Sequence, residues 1–234
     1  MNNSYNERSM KIIDLKKTIL EDNDVDADRL REELKKKNVF YMNVMSSPGS
    51  GKTTTIVGTI ERLRKHFNIG VMEADIDSDV DALTVAKAGV SAVQLHTGGM
   101  CHLDADMSRQ GMAALEAEAD NTLDFIILEN VGNLVCPAEF DTGACLNVAI
   151  LSVPEGDDKP LKYPLMFSVC NVVLVNKIDT LKAFDFDMQK FTNHVKELNP
   201  NAIIMPISAK TGEGMEQFVT WLADERKKLT EKYS

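Results

Sequence analysis

Ser46-Ser47-Pro48-Gly49-Ser50-Gly51-Lys52-Thr53-Thr54 is the stretch that decides the fold. It follows an apolar run over residues 39–45 and precedes a helical pattern, so that a strand, a glycine-rich loop and a helix follow one another. Gly49 and Gly51 have no Cβ, which lets the backbone curl and turn successive N–H groups towards one anion. This order of elements, with Gly-Lys-Thr at the start of the helix, predicts a phosphate-binding loop.

Two side chains of this loop have expected roles. Lys52 would reach the β- and γ-phosphates of a nucleotide, and the Thr53 hydroxyl would bind Mg²⁺. The helix that begins near Lys52 adds the positive end of its dipole. The usual pattern opens with glycine six residues before the lysine, where this chain has Ser46. A glycine-rich turn that binds nothing is the alternative, and the strand–loop–helix context argues against it.

Composition and charge exclude several classes of protein. The chain of 234 residues is 44% apolar, which suits a globular protein with a substantial core, and its net charge of −10 argues against non-specific binding to nucleic acid or anionic membranes. No apolar run reaches the ~18–20 residues that span a membrane. The N-terminus has no signal-peptide pattern, so we expect a cytoplasmic protein whose four cysteines are reduced.

The order of apolar runs predicts an α/β protein. From residue 39 onward, short apolar runs alternate with helical patterns, which predicts a mostly parallel P-loop NTPase sheet with helices on both faces. Ligands gather at the carboxyl ends of the strands in such sheets. Residues 1–37 are polar and helical in character, and we expect two helices with a break at residues 22–24. We therefore predict a helical prefix over 1–37, with a partner-docking arm as the alternative, and one phosphate-loop domain over 38–234.

Two downstream stretches indicate the base. Asn176-Lys177-Ile178-Asp179 follows an apolar strand, and the Asp179 carboxylate can accept hydrogen bonds from guanine N1–H and the 2-amino group, a pair that adenine lacks. Asn176 and Lys177 would hold the loops and cover the base. Ser208-Ala209-Lys210 follows the last strand and resembles the second guanine loop, where a backbone N–H meets O6. Asp179 could instead only cap a helix. Together with the phosphate loop, these stretches resemble a GTPase that binds GTP and GDP.

Glu129-Asn130-Val131-Gly132 ends another apolar strand, where GTPases usually carry Asp-x-x-Gly. Glu129 can hold Mg²⁺ in place of the aspartate, and the Gly132 N–H would meet the γ-phosphate. Asp75, just past the second strand, is placed to act on Mg²⁺ or on the attacking water. Lys52, Asp75 and Glu129 are the candidate catalytic residues. The sequence shows no obvious catalytic glutamine or arginine finger, so we expect slow intrinsic hydrolysis.

A second group of candidate residues consists of Cys101, His102 and Cys136, which lie in two loops that each follow a predicted strand. Two thiolates and an imidazole suit Ni²⁺ or Zn²⁺, and they are one ligand short of a closed tetrahedral site. Water, another residue or a second subunit could complete the set; two half-buried cysteines and a surface histidine are the alternative. Cys136 shares its loop with Gly132, so a ligand there would move when GTP is hydrolysed. We read Cys170 as a core residue.

Four stretches are similar to a known family: the phosphate loop, Cys-His-Leu-Asp-Ala from Cys101, Glu-Asn-Val-Gly-Asn-Leu-Val-Cys-Pro from Glu129 and Glu-Gly-Asp-Asp-Lys-Pro-Leu-Lys-Tyr-Pro from Glu155. They resemble the hydrogenase nickel-incorporation GTPases, the HypB family, over about Val39 to Trp221. The resemblance implies GTP hydrolysis coupled to nickel delivery into [NiFe] hydrogenase. It also implies a GTP-dependent homodimer, with Cys101, His102 and Cys136 as metal ligands at its interface. The implied partners are a nickel-metallochaperone protein and the hydrogenase large subunit.

The chain departs from that family at a few positions. The second strand ends Glu73-Ala74-Asp75 where Glu-Gly-Asp is usual, and residues 1–38 contain neither Cys nor His, which argues against nickel storage by an N-terminal site. Three other functions stay open. The chain could insert nickel into another enzyme such as urease or carbon monoxide dehydrogenase, it could be a P-loop kinase of small molecules, or it could be a metal-binding scaffold whose GTP site is only structural.

Overall fold

A seven-stranded sheet organises the chain, and all of its neighbouring strands are parallel. The computed structural model describes residues 15–75 and 88–231, with the side chains of residues 19–74 and 88–229. The strands are β1 Phe40–Ser46, β2 Ile69–Asp75, β3 Ser91–His96, β4 Phe125–Glu129, β5 Leu146–Ser152, β6 Val172–Asn176 and β7 Ile203–Pro206. Their order across the sheet is β3-β2-β4-β1-β5-β6-β7, which puts β1 and the loop that follows it at the centre.

Helices connect the strands and cover both faces of the sheet. They are α1 Leu15–Lys36, α2 Lys52–Leu63, α3 Ala105–Glu118, α4 Cys136–Glu139, α5 Lys159–Lys162, α6 Pro164–Val169, α7 Met188–Leu198 and α8 Met215–Glu231, with 3-10 turns at Val153–Glu155 and Ile178–Ala183. The predicted P-loop α/β fold with a helical segment before the first strand is confirmed. The short helices α4, α5 and α6 were not predicted, because four to six residues carry too little periodicity to be recognised.

The core lies on both faces of β1, because alternate side chains of a strand point to opposite sides. Met42 and Val44 pack with α2 and α8 in one buried cluster. On the other face, Tyr41 packs against α1 and α3, while Met45 packs against α6 and α7. Asn43 lies between Tyr41 and Met45 in the sequence and is 2% exposed. The central strand is thus fixed from both sides.

The prefix differs from the prediction in one respect. The break expected at residues 22–24 is wrong, since α1 continues through them as one helix. An asparagine in a helix usually competes for nearby backbone hydrogen bonds, but the Asn23 amide is engaged elsewhere: it donates to the Asp141 carbonyl oxygen at 3.0 Å and accepts from the Ala105 N–H at 2.9 Å. Leu30 and Leu34 of α1 are buried against the domain.

Two helices begin at aspartate caps. Asp104 accepts a hydrogen bond from the Met107 N–H at 2.8 Å, and Asp187 accepts from Gln189 and Lys190 at 2.9 and 3.0 Å. Such caps satisfy donors that the first helical turn leaves unpaired. Across the described ranges, the helices are all too short or too polar to cross a membrane.

Gly214 leads into α8 from the loop after β7 and should be sensitive to substitution. Its φ is +73°, and an added Cβ would lie 2.3 Å from the Pro206 carbonyl oxygen. Gly214→Ala is therefore expected to lower the free energy of unfolding by about 3 kcal/mol, because a backbone clash adds to the strain of a left-handed residue.

Gly212→Ala is the matched control. Gly212 also has a positive φ of +86°, but its nearest neighbour is the mobile end of Arg62 at 3.3 Å. It should lose only about 1–2 kcal/mol in urea denaturation, the strain of the left-handed conformation alone. Equal losses in the two variants would contradict the clash at Gly214.

Candidate nucleotide and metal site

The phosphate loop leaves the central strand and enters α2. Gly49 and Gly51 have φ values of 75° and 96°, the left-handed region that favours glycine. A Cβ at Gly51 would lie 2.5 Å from Nδ2 of Asn176, so the backbone of the loop approaches a neighbouring side chain closely. α2 begins at Lys52, which turns the N-terminal end of the helix towards the loop.

A cavity of about 630 Å³ opens at the carboxyl ends of β1, β2 and β4. Its walls contain most of the predicted nucleotide residues together with the segment after β4: Pro48, Gly49, Gly51, Lys52, Thr53, Thr54, Glu73, Ala74, Glu129, Asn130, Val131, Gly132 and Lys177. The cavity lies where parallel sheets of this kind bind ligands. Ser50, between the two loop glycines, is buried.

The two predicted Mg²⁺ residues that the structure describes are in contact. The Thr53 hydroxyl donates to Oε1 of Glu129 at 2.8 Å, and Glu129 is 3% exposed. A hydroxyl and a carboxylate beside a phosphate site are ligands that Mg²⁺ accepts, so the residues present fit the ion. The Asp75 side chain, and Asp77, Asp79 and Asp81, lie outside what the structure describes.

Glu73 was missed by the sequence reasoning. It pairs in register with Glu129, lines the same cavity and is 2% exposed. A carboxylate in an otherwise apolar strand, two residues before Asp75, was the signal that could have identified it. Two carboxyl groups from neighbouring strands place oxygen donors on this side of the cavity, and oxygen is the ligand atom that Mg²⁺ prefers.

One side chain joins the base loops to the phosphate loop. Asn176 Nδ2 donates to the Ser50 carbonyl oxygen at 2.9 Å. Its Oδ1 accepts from the Ala209 N–H at 3.0 Å and from the N–H of the next residue at 2.8 Å. Asn176 is 2% exposed, so all of these bonds are shielded from water. The sequence predicted that this residue holds loops, and the structure places it between three of them.

The remaining residues of the two base loops also meet. Lys177 has a φ of 63°, and its Nζ donates to the Gly49 carbonyl oxygen at 2.6 Å, so the side chain lies along the phosphate loop. The Ser208 hydroxyl donates to Oδ1 of Asp179 at 2.6 Å, which fixes that carboxylate. Lys210 is exposed and lies outside the cavity wall.

Glu155 supports the phosphate loop from the segment after β5. Its Oε2 accepts from the Ser152 N–H and hydroxyl at 2.8 Å each, and its Oε1 accepts a hydrogen bond from the Ser47 hydroxyl. The stretch that begins at Glu155 was singled out only by resemblance. The structure gives it a physical role, because one carboxylate connects the end of β5 to the phosphate loop.

The segment after β4 is fixed at its start by buried amides. Asn130 accepts from the Val131 N–H at 2.8 Å and donates to Asn43 at 3.0 Å, and Asn43 in turn donates to Asn147 at 3.0 Å. A Cβ at Gly132 would lie 3.1 Å from Cγ of Pro48, so this segment touches the phosphate loop. A row of three hydrogen-bonded asparagines thus positions the segment that is predicted to contact the γ-phosphate, and the sequence alone did not reveal this row.

The two predicted metal thiols come together. A hydrogen bond with Cys101 is the main reason that the pKa of Cys136 lies above the ordinary value for a thiol, and burial adds to the effect. Asn133 Nδ2 lies 3.5 Å from Cys136 Sγ. Cys101 and Cys136 therefore belong to one cluster although 35 residues separate them.

His102 lies beside this pair, but its ring packs on Phe140. Its Nδ1 is 4.0 Å from Cys101 Sγ, and its ring stacks on Phe140 with centroids 3.6 Å apart and 12° between the planes. Burial lowers the pKa of His102, against the opposing effect of the Asp104 and Glu139 carboxylates, and the neutral imidazole is the form that binds metals.

The donor set fits a soft or borderline ion, but the ligands are not fully assembled. Among the described residues, no group of three or more His, Cys, Asp or Glu is arranged to hold an ion. The two thiols interact and the imidazole is adjacent, so reorientation of His102 would give three donors, and water or a ligand from a second copy would supply the fourth. Cys145 and Cys170 do not belong to it: Cys145 Sγ donates to the Tyr41 carbonyl oxygen at 3.1 Å, and Cys170 is fully buried.

Asn176→Ala should weaken the binding of nucleoside diphosphates and triphosphates by about tenfold or more, because it releases Ser50 and Ala209 and leaves buried groups unpaired. Fluorescent-nucleotide titration measures the effect. Asn199→Ala is the matched control, since Asn199 donates to the Ser168 and Cys170 carbonyl oxygens at 3.1 and 2.8 Å, away from the cavity. If both variants bind nucleotide equally well, the role of Asn176 is wrong.

Comparison with known proteins identifies the family of the chain. Residues 40–206 match the family model described as CobW/HypB/UreG, nucleotide-binding domain. The chain is 44% identical over 216 residues to the hydrogenase maturation factor HypB of Azotobacter chroococcum, covering 92% of this chain and 70% of that one. It is 40% identical over 220 residues to the hydrogenase/urease maturation factor HypB of Helicobacter pylori J99, covering 94% and 90%.

A solved structure is similar as well. The crystal structure of HypB from Helicobacter pylori in complex with nickel superposes with a TM-score of 0.83 at 39% identity, covering 88% of this chain and 96% of that chain. The matched region includes the phosphate loop, the loop after β4 and the strand before the base loop. The chain therefore belongs to the HypB family of hydrogenase maturation factors, within the CobW/HypB/UreG nucleotide-binding proteins.

Proposed function

We propose that the chain is a GTPase that couples GTP hydrolysis to nickel delivery during the maturation of [NiFe] hydrogenase. One observation carries the proposal: a single short segment leads from the nucleotide cavity at Glu129 and Gly132 to the thiol pair at Cys136. A change at the nucleotide can therefore reach a metal ligand within a few residues. The family and the nickel in the solved relative support nickel as the cargo, and the thiol donors would also accept Zn²⁺.

The GTPase half of the proposal assigns a role to each residue of the cavity. Lys52 binds the β- and γ-phosphates, while Thr53 and Glu129 would hold Mg²⁺, with Asp75 acting on the ion or on the attacking water. Neutralisation of phosphate charge is the chemistry that Mg²⁺ supplies when it is bound. Asp179, fixed by Ser208, selects guanine. Intrinsic turnover is slow, since positioning and charge act without an arginine finger or a catalytic glutamine among the described cavity residues.

The metal half of the proposal requires a conformational change. Gly132 lies against Pro48 of the phosphate loop, so contact with a γ-phosphate displaces the segment that ends at Cys136. Cys101, His102 and Cys136 of two copies then complete the coordination in a GTP-dependent homodimer. Hydrolysis reverses the displacement and releases the metal to a nickel-metallochaperone protein or to the hydrogenase large subunit. In this proposal residues 38–234 form the GTPase domain and residues 1–37 the helical prefix.

A second target is favoured by one relative. The Helicobacter pylori J99 protein is described as a maturation factor for both hydrogenase and urease, so nickel insertion into urease is the alternative destination. The same nucleotide and metal chemistry would serve both targets. Metal transfer from the loaded protein to each purified apoenzyme would distinguish them.

Asp179→Asn is expected to reduce the preference for GTP over xanthosine triphosphate by about 100-fold, because the amide no longer accepts both guanine donors. Competition between the two nucleotides measures the preference. Asp185→Asn is the control, since Asp185 is an exposed aspartate of the same segment. A wild-type preference in the Asp179 variant would refute guanine selection by this carboxylate.

Metal affinity should depend on the nucleotide. We expect Ni²⁺ or Zn²⁺ to bind ~5–150-fold differently when a non-hydrolysable GTP analogue replaces GDP, and linkage requires the metal to change nucleotide affinity by the same factor. Competition with a chromophoric chelator measures metal binding, and light scattering records the dimer in the same samples. Binding should also weaken as the pH falls, because protons compete for the thiolates.

Cysteine variants test which thiols are responsible. Cys101→Ala and Cys136→Ala should lose this metal and keep GTP binding, whereas Cys145→Ala should keep both, because its thiol bonds to the Tyr41 carbonyl oxygen instead. If the first two variants bind metal like the wild type in both nucleotide states, the thiol pair is only a packing contact and the metal half of the proposal fails.

A further inference from the structure

The amide of Asn23 in α1 joins the two segments that carry the metal thiols. Its Oδ1 accepts a hydrogen bond from the Ala105 N–H at 2.9 Å, and its Nδ2 donates to the Asp141 carbonyl oxygen at 3.0 Å. Ala105 is the first residue of α3, directly after the loop that contains Cys101 and His102, and Asp141 lies two residues after α4, the short helix that begins at Cys136. A single side chain thus bonds to the backbone of both segments, in each case at a residue C-terminal to the candidate metal ligands.

The bonds made by Asn23 lie close to the metal residues along the chain. Ala105 is the third residue after His102, and Asp141 directly follows Phe140, the ring on which His102 stacks. Because Ala105 lies four residues after Cys101 and Asp141 lies five residues after Cys136, we expect a shift of the backbone at either anchor to change the separation of the two thiols. The Asn23 contacts and the ring stacking are two separate links between the same segments.

α1 is itself firmly attached, so Asn23 is a fixed point. Leu30 and Leu34 are 2% and 5% exposed. Arg31 Nε donates to the Ala144 carbonyl oxygen at 3.0 Å, and its guanidinium also pairs with the Asp141 carboxylate. An added Cβ at Gly143 would lie 2.8 Å from Cδ2 of Leu30, so helix and loop are in close contact.

We propose that Asn23 is a positioning residue for the metal site, which keeps the Cys101–His102 loop and the Cys136 segment next to each other so that their donors can serve one ion. The inference rests on the metal site of the proposed function and deepens it. It gives α1 a specific role, because the helix becomes the support to which both halves of the site are bonded. Any loosening of α1 from the domain would then also loosen the metal site.

Removal of the amide tests the inference. Asn23→Ala should weaken Ni²⁺ and Zn²⁺ binding by about tenfold, the lower end of the range for residues that orient metal ligands through others. Asn23→Leu, which restores side-chain volume without the amide, should weaken binding to the same extent. Both residues favour helices more than asparagine does, so α1 should persist. The fluorescent-nucleotide affinity of both variants should equal that of the wild type.

Native-state hydrogen exchange supplies a second readout. The Ala105 amide donates to Asn23, so its exchange should accelerate in both variants while amides in β1 and β4 keep their protection. Lys37→Ala is the matched control beside the same helix, since Lys37 Nζ pairs with Glu116 of α3 at 2.8 Å, remote from the metal residues. Its metal affinity should change less than about twofold, because an exposed ion pair contributes little.

The outcomes separate the inference from the proposed function. If exchange at Ala105 accelerates but metal affinity is unchanged, the spacing of the segments does not depend on Asn23 and the inference fails. If Lys37→Ala weakens metal binding as much as Asn23→Ala, docking of α1 in general is responsible and the specific role of the amide is overturned. If Cys101→Ala binds metal like the wild type, the metal site itself fails, and the inference fails with it.

Discussion

The carboxamide of Asn176 is the interaction on which the nucleotide site depends. Its three hydrogen bonds connect the end of β6, the loop after β7 and the phosphate loop after β1. These loops come from strands that are not all neighbours, so no ladder of backbone hydrogen bonds could hold them together. Gly51 has to be glycine at this point, because a Cβ would occupy the space of the amide nitrogen. One side chain therefore joins the proposed base loops to the phosphate loop.

Strand order explains why the candidate metal residues lie beside these loops. β4 is a direct neighbour of β1, so the segment after β4 emerges next to the phosphate loop. β3 is two strands further out, and the loop from residue 97 to 104 must pass over the end of β2 to bring Cys101 to Cys136. A long loop that crosses a neighbouring strand needs support, and Asn23 and Phe140 supply it. The two sites are adjacent because of the order of the sheet, although their residues are distant in sequence.

Much of the fold could be read from local patterns. The strand, glycine loop and helix around Lys52, and the apolar runs of β4, β5 and β6, have short-range signals that tertiary contacts reinforce. The phosphate loop, the base loops and the thiols could be proposed from the sequence as well, because their chemistry restricts the residue types. Other features depended on contacts across the chain. The continuity of α1 at Asn23 and the role of Glu155 were not visible, since Asn23 bonds to Asp141 and Glu155 to Ser47, each more than a hundred residues away.

Glu73 and Asn43 show a different limit. Both are polar residues in strands whose other members are mostly apolar, and sequence alone does not tell whether such a residue faces a ligand or a structural partner. In the structure Glu73 faces the cavity, whereas Asn43 bonds to Asn130 and Asn147 inside the sheet. The register of the strands explains this difference between Glu73 and Asn43, because the position along a strand fixes which neighbour a side chain can reach.

The central position of β1 also determines when the sheet can form during synthesis. Phe40 pairs with Phe125 and Met42 pairs with Leu146, so both neighbours of β1 are synthesised more than eighty residues after it. At ~5–20 residues per second, the wait between the synthesis of β1 and that of β4 is roughly 4–17 seconds. During that interval it is an apolar strand with two open edges, a form prone to wrong pairing. The nucleotide cannot shorten the wait, because Glu129 and Asn176 do not yet exist; GTP stabilises only a sheet that has already closed around β1.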